Sequence, residues 1–292
     1  MHSESFGIIG GDIRQTALAG SILKDGNAVY ACGFDKAELV AGVKKADADE
    51  TINKCDNIIL PLPVTNDGKY LKMDLTNEKI LLNDDFALKL QGKRVFGGMT
   101  EKLKKTSRFW NTVNIYDYFK IEEFEVENAV PTAEGAIETA MREFEGTIHG
   151  SRCLVAGFGR IGKTLAYMLS GIGADVTVSA RKRSDLAWIK TYGYKPVLTY
   201  GICKTGQYDI IFNTIPALVF DKILLERINK NTLIIDLASS PGGVDLKSAR
   251  KAGIKIITAL SLPGKVAPKT AGEIIKNVIY NIISDNGEGH PV

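Results

Sequence analysis

Apolar residues in the second half of the chain fall in short runs separated by stretches of helical spacing. Runs at 153–156, 175–179, 194–198, 208–213, 232–237 and 254–258 read as strands, and runs this short and this continuous suit strands covered on both faces. Stretches at 184–192, 217–228 and 244–252 space their apolar positions as helices, and another helix opens at Lys163. Helical stretches separate most of the strands, and such alternation predicts an α/β fold, a parallel sheet with helices on both faces. Six strands make a complete doubly wound, Rossmann-type domain, which we place at residues 128–269.

The first half alternates as well. Strands are expected at 5–10, 27–32, 57–63, 93–98 and 112–116, with a helix from Ile13 to Leu23, which gives a smaller α/β domain over residues 1–127. Residues 66–92 are polar and poorly periodic and read as a long excursion holding a short hairpin or helix. Pro131 and Thr132 resemble a helix start, with Glu134 in the first turn, so a helix of about 12 residues should begin there and bridge the domains. Ile274, Ile275, Val278, Ile279 and Ile282 share one helical face, so a helix over 270–285 should return to the first domain. The polar tail from Asn286 should fray.

The strand at 153–156 runs into Gly157-Phe158-Gly159-Arg160-Ile161-Gly162, and a helix follows at once. This is the dinucleotide-binding fingerprint in its proper setting. Gly157 should form the tight turn, Gly159 should admit a pyrophosphate to the backbone, and Gly162 should let helix and strand pack closely. Enzymes that prefer NAD place a carboxylate about 20 residues onward, on the ribose 2′-hydroxyl. Here that place holds Ser179, Arg181 and Arg183, with no acid between Asp175 and Asp185. Cations there suit a 2′-phosphate, so NADP is expected, with NAD as the alternative.

Composition narrows the picture. The 292 residues are 45% hydrophobic and 24% charged with a net charge of +3, which suits a soluble two-domain protein and gives no reason to expect nucleic acid. No apolar run is long enough to span a membrane, and the start of the chain lacks the pattern of a signal peptide, so a cytoplasmic location is expected. Cys32, Cys55, Cys153 and Cys203 are widely spaced and read as buried free thiols, with no metal-site spacing. His2, His149 and His290 are poorly placed for a histidine mechanism.

Other candidate groups sit where strands end, because ligands of a doubly wound sheet lie off the carboxyl ends of its strands. Asn213, Thr214 and Pro216 follow one strand and should face the nicotinamide ribose, unless Asn213 and Thr214 only form the turn. Residues 236–243 and 259–265 end two others, with Lys265 either a substrate cation or a solvated one. In the first domain Gly10-Gly11-Asp12-Ile13-Arg14-Gln15 repeats the strand–glycine–helix logic. Asp12 is a natural N-cap, and Arg14 and Gln15 would sit at the helix start, where a guanidinium suits a carboxylate; a structural salt bridge is the competing role. Lys102, Lys104, Lys105 and Arg108 read as a solvated face.

Five segments taken together resemble the family of dipicolinate synthase A subunits. They are residues 10–15 (GGDIRQ), 128–135 (NAVPTAEG), the fingerprint at 157–162, 238–243 (ASSPGG) and 262–272 (LPGKVAPKTAG). The resemblance implies a spore-forming source and oxidation of a dihydrodipicolinate-type precursor to pyridine-2,6-dicarboxylate. It also implies a second, flavoprotein-like B subunit. Such chemistry asks for little beyond holding the ring against the nicotinamide and neutralising two carboxylates. On that footing the catalytic candidates are Arg14, Glu134 and Lys265, with Glu134 the proton acceptor if burial raises its pKa. Asp12, Gln15 and Thr132 are the substrate-binding candidates, and a homo-oligomer is compatible. Two other readings stand beside this one: another two-domain NAD(P)-dependent dehydrogenase of 2-hydroxyacid or amino-acid type, and a nucleotide-binding subunit without chemistry of its own.

Overall fold

The computed structural model describes residues 4–204, 207–239 and 241–287, and its contacts divide the chain into two units, one running to Asn128 and resuming at Ala267, the other Ala129–Val266. Expectations touching His2, His290, the side chain of Cys203 and the tail past Gly287 lie outside what is described.

In the first unit, β1 (Ser5–Ile9) passes through two glycines into α1 (Ile13–Lys24), followed by β2 (Ala28–Cys32), β3 (Lys44–Lys45), α2 (Ala48–Lys54), β4 (Asn57–Ile59), α3 (Asp84–Lys89), β5 (Arg94–Gly97), α4 (Glu101–Lys104) and β6 (Asn114–Asp117). Every pairing is parallel, in the order β3-β2-β1-β4-β5-β6. That is the doubly wound order of a dinucleotide sheet, so this half has the same winding that sequence pattern assigned to the other. The sixth strand, β3, is two exposed lysines with no apolar run to reveal it. β4 is shorter than expected, since Pro61 and Pro63 have no N–H to offer the ladder. Residues 66–92 contain both short features: an antiparallel bridge, Tyr70 to Leu81, and α3. A parallel bridge from Met73 to Gly11 ties the excursion to the glycine turn after β1.

Next comes α5 (Glu122–Glu143), which carries the chain from the first unit into the second. It starts nine residues before the predicted start and holds Pro131 in its interior rather than at its start. Glu122, Glu123 and Glu125 fill its first turn, where the helix dipole favours acids. Buried Phe124, Ala129, Ala133, Ala136, Ile137 and Ala140 keep helical spacing through the proline, so packing outweighs the one backbone hydrogen bond that Pro131 removes.

The second unit runs β7 (Arg152–Ala156), α6 (Arg160–Ile172), β8 (Asp175–Ala180), α7 (Arg183–Thr191), β9 (Lys195–Leu198), β10 (Ile210–Asn213), α8 (Lys222–Leu225), β11 (Leu233–Asp236), α9 (Leu246–Ala252), β12 (Lys255–Thr258) and α10 (Leu262–Val266). The sheet is again parallel and doubly wound, β12-β11-β10-β7-β8-β9. α8 is much shorter than the 217–228 span suggested. The amides of Val219 and Phe220 both donate to Gly243 O, at 3.1 and 3.0 Å, which holds this stretch extended until Asp221 caps the helix.

Each sheet has a core on both faces. In the first unit Phe6 and Ile8 point to one side, with α1 and α11 (Pro268–Gly287), while Ile9, Ile58 and Val95 belong to the other, with Ile52, Phe86 and Trp110. α11 packs on α1 at Gly272, where a Cβ would lie 2.8 Å from Leu18 N and 2.9 Å from Arg14 O, so only a hydrogen fits. In the second unit α5, α6 and α7 cover one face and α8 and α9 the other. Cys32, Cys55 and Cys153 are buried free thiols.

Candidate functional site

The three fingerprint glycines meet three different local demands. Gly157 has φ +107°, a left-handed conformation that costs a side chain dearly, and a Cβ there would meet Thr214 Oγ1 at 2.4 Å. A Cβ on Gly162 would come within 2.2 Å of Gly157 O, so α6 can approach β7 only with a hydrogen there. Gly159 differs: it caps α6 with ordinary φ of −82°, and no atom lies within 4 Å of where its Cβ would be. Two crowded glycines thus hold the turn, and the third leaves open space beside the amides that begin a 13-residue helix with no acid in its first turn. Backbone donors at a helix N-terminus with room for an anion fit a pyrophosphate. Phe158 and Ile161 are half-buried against the core, and Lys163 Nζ stands 5.3 Å from the Phe158 ring centre.

Buried hydrogen bonds hold the surrounding loops. Ser179 is fully buried at the end of β8, where its carbonyl and Oγ both accept from Gly157 N, at 3.2 and 3.3 Å. It fixes the turn from below rather than facing a ligand. Asn213 is also fully buried: Nδ2 donates to Asp236 Oδ1 at 2.8 Å and to Ile215 O at 3.2 Å, and Oδ1 accepts from Ile215 N at 3.2 Å. The turn-forming role offered for Asn213 is therefore the one its contacts show. Asp236, the first residue of the 236–243 segment, receives Asn213, Ala238 N and Gly243 N, and so ties the loop after β10 to the loop after β11. Thr214 gives its hydroxyl and its amide to Ala156 O, both at 2.9 Å, while Pro216 is exposed. Past the end of β8, Arg181 and Arg183 are exposed and ion-pair with no described residue, a state suited to an arriving phosphate.

In the first unit Asp12 is the N-cap of α1 in a full capping box with Gln15. Arg14, only 4% exposed, returns to that same carboxylate, with Nε at 2.9 Å and Nη2 at 2.7 Å, and also donates to Leu62 O at 2.6 Å. The structural salt bridge is the contact it makes. Lys72 joins it from the excursion, 2.8 Å from Asp12 and 3.3 Å from Asp74. Nothing local in that polar stretch marks Lys72; the bridge that brings Met73 to Gly11 delivers it. Burial pushes the Asp12 carboxyl up, but hydrogen bonds and charge from Arg14, then Lys72, hold it far below the usual carboxylate range. Gln15 is fully buried; its Oε1 accepts Asp12 N at 2.9 Å and its Nε2 has no partner.

The other three candidates belong to the second unit. Thr132 is buried on α5, and Lys265 is exposed on α10, which packs on α5 at Gly135, where a Cβ would lie 2.9 Å from Leu262 Cβ. Glu134 is exposed on α5. The burial that its part as proton acceptor required is absent, because its side of the helix faces away from the core. Among the described residues no group of three side chains is placed to hold a metal, and no helix is long and apolar enough to cross a membrane.

Two doubly wound units, one with an intact glycine turn open to a diphosphate, define a dehydrogenase-like Rossmann protein. Its fold is shared with a transhydrogenase from Sinorhizobium meliloti, at a TM-score of 0.70 and 13% identity over 98% of this chain and 95% of that one. Sequence narrows the class. The pattern of the N-terminal domain of dipicolinate synthase A subunits matches residues 5–119. The chain is 34% identical to the dipicolinate synthase A subunit of Bacillus subtilis (strain 168) over 282 residues, 95% of each. The crystal structure of the dipicolinate synthase A subunit from Bacillus halodurans superposes with a TM-score of 0.86 at 33% identity, covering 96% of this chain and 98% of that one. The chain belongs to the family of dipicolinate synthase A subunits.

Proposed function

We propose that this chain is the NADP-linked oxidoreductase subunit of a dipicolinate synthase, oxidising a dihydrodipicolinate-type precursor to pyridine-2,6-dicarboxylate in sporulating cells, in the cytoplasm and alongside a second subunit. The observation that carries the redox part is the open space at Gly159 between two glycines that admit no side chain. Residues 157–162 would hold the pyrophosphate, Arg181 and Arg183 the 2′-phosphate, and Thr214 and Pro216 the nicotinamide ribose. When bound, the oxidised nicotinamide supplies the hydride acceptor.

The substrate loses a hydride and a proton, the proton passing to solvent water, and forming the aromatic ring drives both losses. The protein's own task is then to orient the ring and to neutralise two carboxylates. Arg14 is assigned one carboxylate and Lys265 the other. Arg14 takes that part by exchanging Asp12 for the substrate's oxygens, with Lys72 keeping Asp12 in charge balance. Thr132 and Gln15 remain the polar neighbours in this scheme, and Glu134 is left out because it is exposed.

Mixing the purified chain with NADP and freshly made dihydrodipicolinate, with and without the second subunit, tests the proposal through the absorbance of pyridine-2,6-dicarboxylate. Product from the chain with NADP supports it. Product only when the second subunit is present would shift the chemistry toward that partner, and none in either case would reject the assignment. Arg14→Ala should abolish product while NADP binding, measured by calorimetry, survives; ordinary turnover would remove Arg14 from the site.

A further inference from the structure

The outward sides of α6 and α7 carry an aromatic surface that no part of the proposed reaction uses. Trp188 and Tyr192 stack at the end of α7, with ring centres 5.7 Å apart and planes 29° apart. Tyr192 also lies 6.2 Å from Phe158 and 6.4 Å from Tyr194. Burial, then the neighbouring Tyr167 and Tyr192, push the Tyr194 hydroxyl up, which places Tyr167 of α6 in the same cluster. Tyr167 is 73% exposed, Trp188 56% and Tyr192 53%. Single exposed apolar residues are ordinary, but connected rings exposed to this degree mark a contact surface, and Trp and Tyr are the types that anchor one.

The charges around the rings indicate what covers them. α6 carries Arg160 and Lys163 and no acid, and Lys163 Nζ stands 5.3 Å from the Phe158 ring centre. α7 adds Arg183 and Lys190 against one acid, Asp185, which sits in its first turn where the helix dipole favours it. The other carboxylate between Gly157 and Lys195 is Asp175, and Lys195 pairs with it at 2.6 Å. A face so dominated by one sign is not complementary to itself, because a two-fold contact between copies would set cation against cation. The occupant is therefore a different molecule, and it brings carboxylates. The rings pack on one another rather than standing apart as separate platforms, which suits the apolar centre of a protein contact better than a row of stacked bases.

We propose that the α6–α7 aromatic surface docks the second subunit, through a patch of that subunit that sets carboxylates around apolar side chains. This rests on the reading of the chain as one subunit of a dipicolinate synthase. Titration calorimetry of the full chain with the second subunit should show association, weakened roughly tenfold when NaCl rises from about 0.05 to about 0.5 M. Trp188→Ala should weaken it at least about 30-fold, the scale of losing a contact anchor, with thermal unfolding and NADP affinity unchanged. If Trp188→Ala fails to fold, Tyr167→Glu makes the same test from α6. Lys163→Glu sets acid against acid and should cost at least about tenfold in affinity, whereas Lys163→Arg should bind as wild type. An association indifferent to Trp188→Ala and Tyr167→Glu, or unchanged by salt, would overturn the proposal and leave the two-subunit reading standing. No association at all would overturn both. Capture of an oligothymidylate of about 15 nucleotides, or of a second copy of this chain, by the same rings would also overturn it.

Discussion

Asp12 gathers three structural contacts at one helix start. It caps α1, holds the buried Arg14 and receives Lys72. A carboxyl held below its ordinary value of 3.8 contributes stability at neutral pH and loses it as pH falls through that value toward the folded one. Asp12→Asn keeps the N-cap but leaves Arg14 buried without its counter-charge, so it should lower stability by about 3 kcal/mol at pH 7. In denaturant titrations the gap to wild type should close as pH falls below about 4; a gap that does not depend on pH would show that the ion pair is not its source. The fingerprint glycines separate in the same way. Gly159→Ala points a methyl into open space, so thermal stability should hold while NADP affinity falls at least about tenfold. Gly162→Ala drives a methyl into Gly157 O and should cost about 1–3 kcal/mol of stability as well as binding. Equal effects of the two on stability would contradict the division of roles.

At the scale of elements, the strands of the second sheet were the most legible part. β7, β10 and β11 are buried on both faces and show as apolar runs, and β8 shows as Val176 and Val178 set among small polar residues that are buried with them. Less legible were elements whose reasons lie elsewhere in the chain. β3 is two exposed lysines that pair with Tyr30 and Ala31, and α8 is cut short because Gly243 holds Val219 and Phe220. The early start of α5 was hidden by Pro131, a local signal that the packing of six buried side chains overrides. The seat of α11 on α1 yields a direct expectation. Gly272→Ala would press a methyl on the α1 backbone at 2.8 Å and should lower the unfolding free energy by about 1–3 kcal/mol, measurable by urea titration.

For the whole molecule, the two units have the same winding but different turns after the first strand. The second unit leaves Gly159 open, while the first fills the corresponding helix start with Asp12, Gln15 and Arg14. Nucleotide should therefore stabilise through the second unit. At a hundred times its Kd, NADP should add about 2.7 kcal/mol to stability, visible as a raised Tm. Replacing Arg181 and Arg183 together by Ala should remove most of that shift for NADP while leaving any shift from NAD in place; loss of both alike would count against a 2′-phosphate role.

What the sequence determined by itself was everything that period and local stereochemistry encode. Apolar runs separated by helical stretches specify parallel strands with crossing helices, and glycines at 157 and 162 specify a turn no larger residue can make, with Gly159 leaving open space beside it. Only the tertiary structure decided which polar groups are used up inside. Ser179, Asn213 and Arg14 look equally available along the chain, yet each is buried with its partners already supplied, two of them by segments more than 20 residues away and Arg14 in part by Leu62. Lys72 and Asp236 join those networks for the same reason: hydrogen bonding and charge act through space, and proximity in space is set by the folded sheet, not by the order of residues.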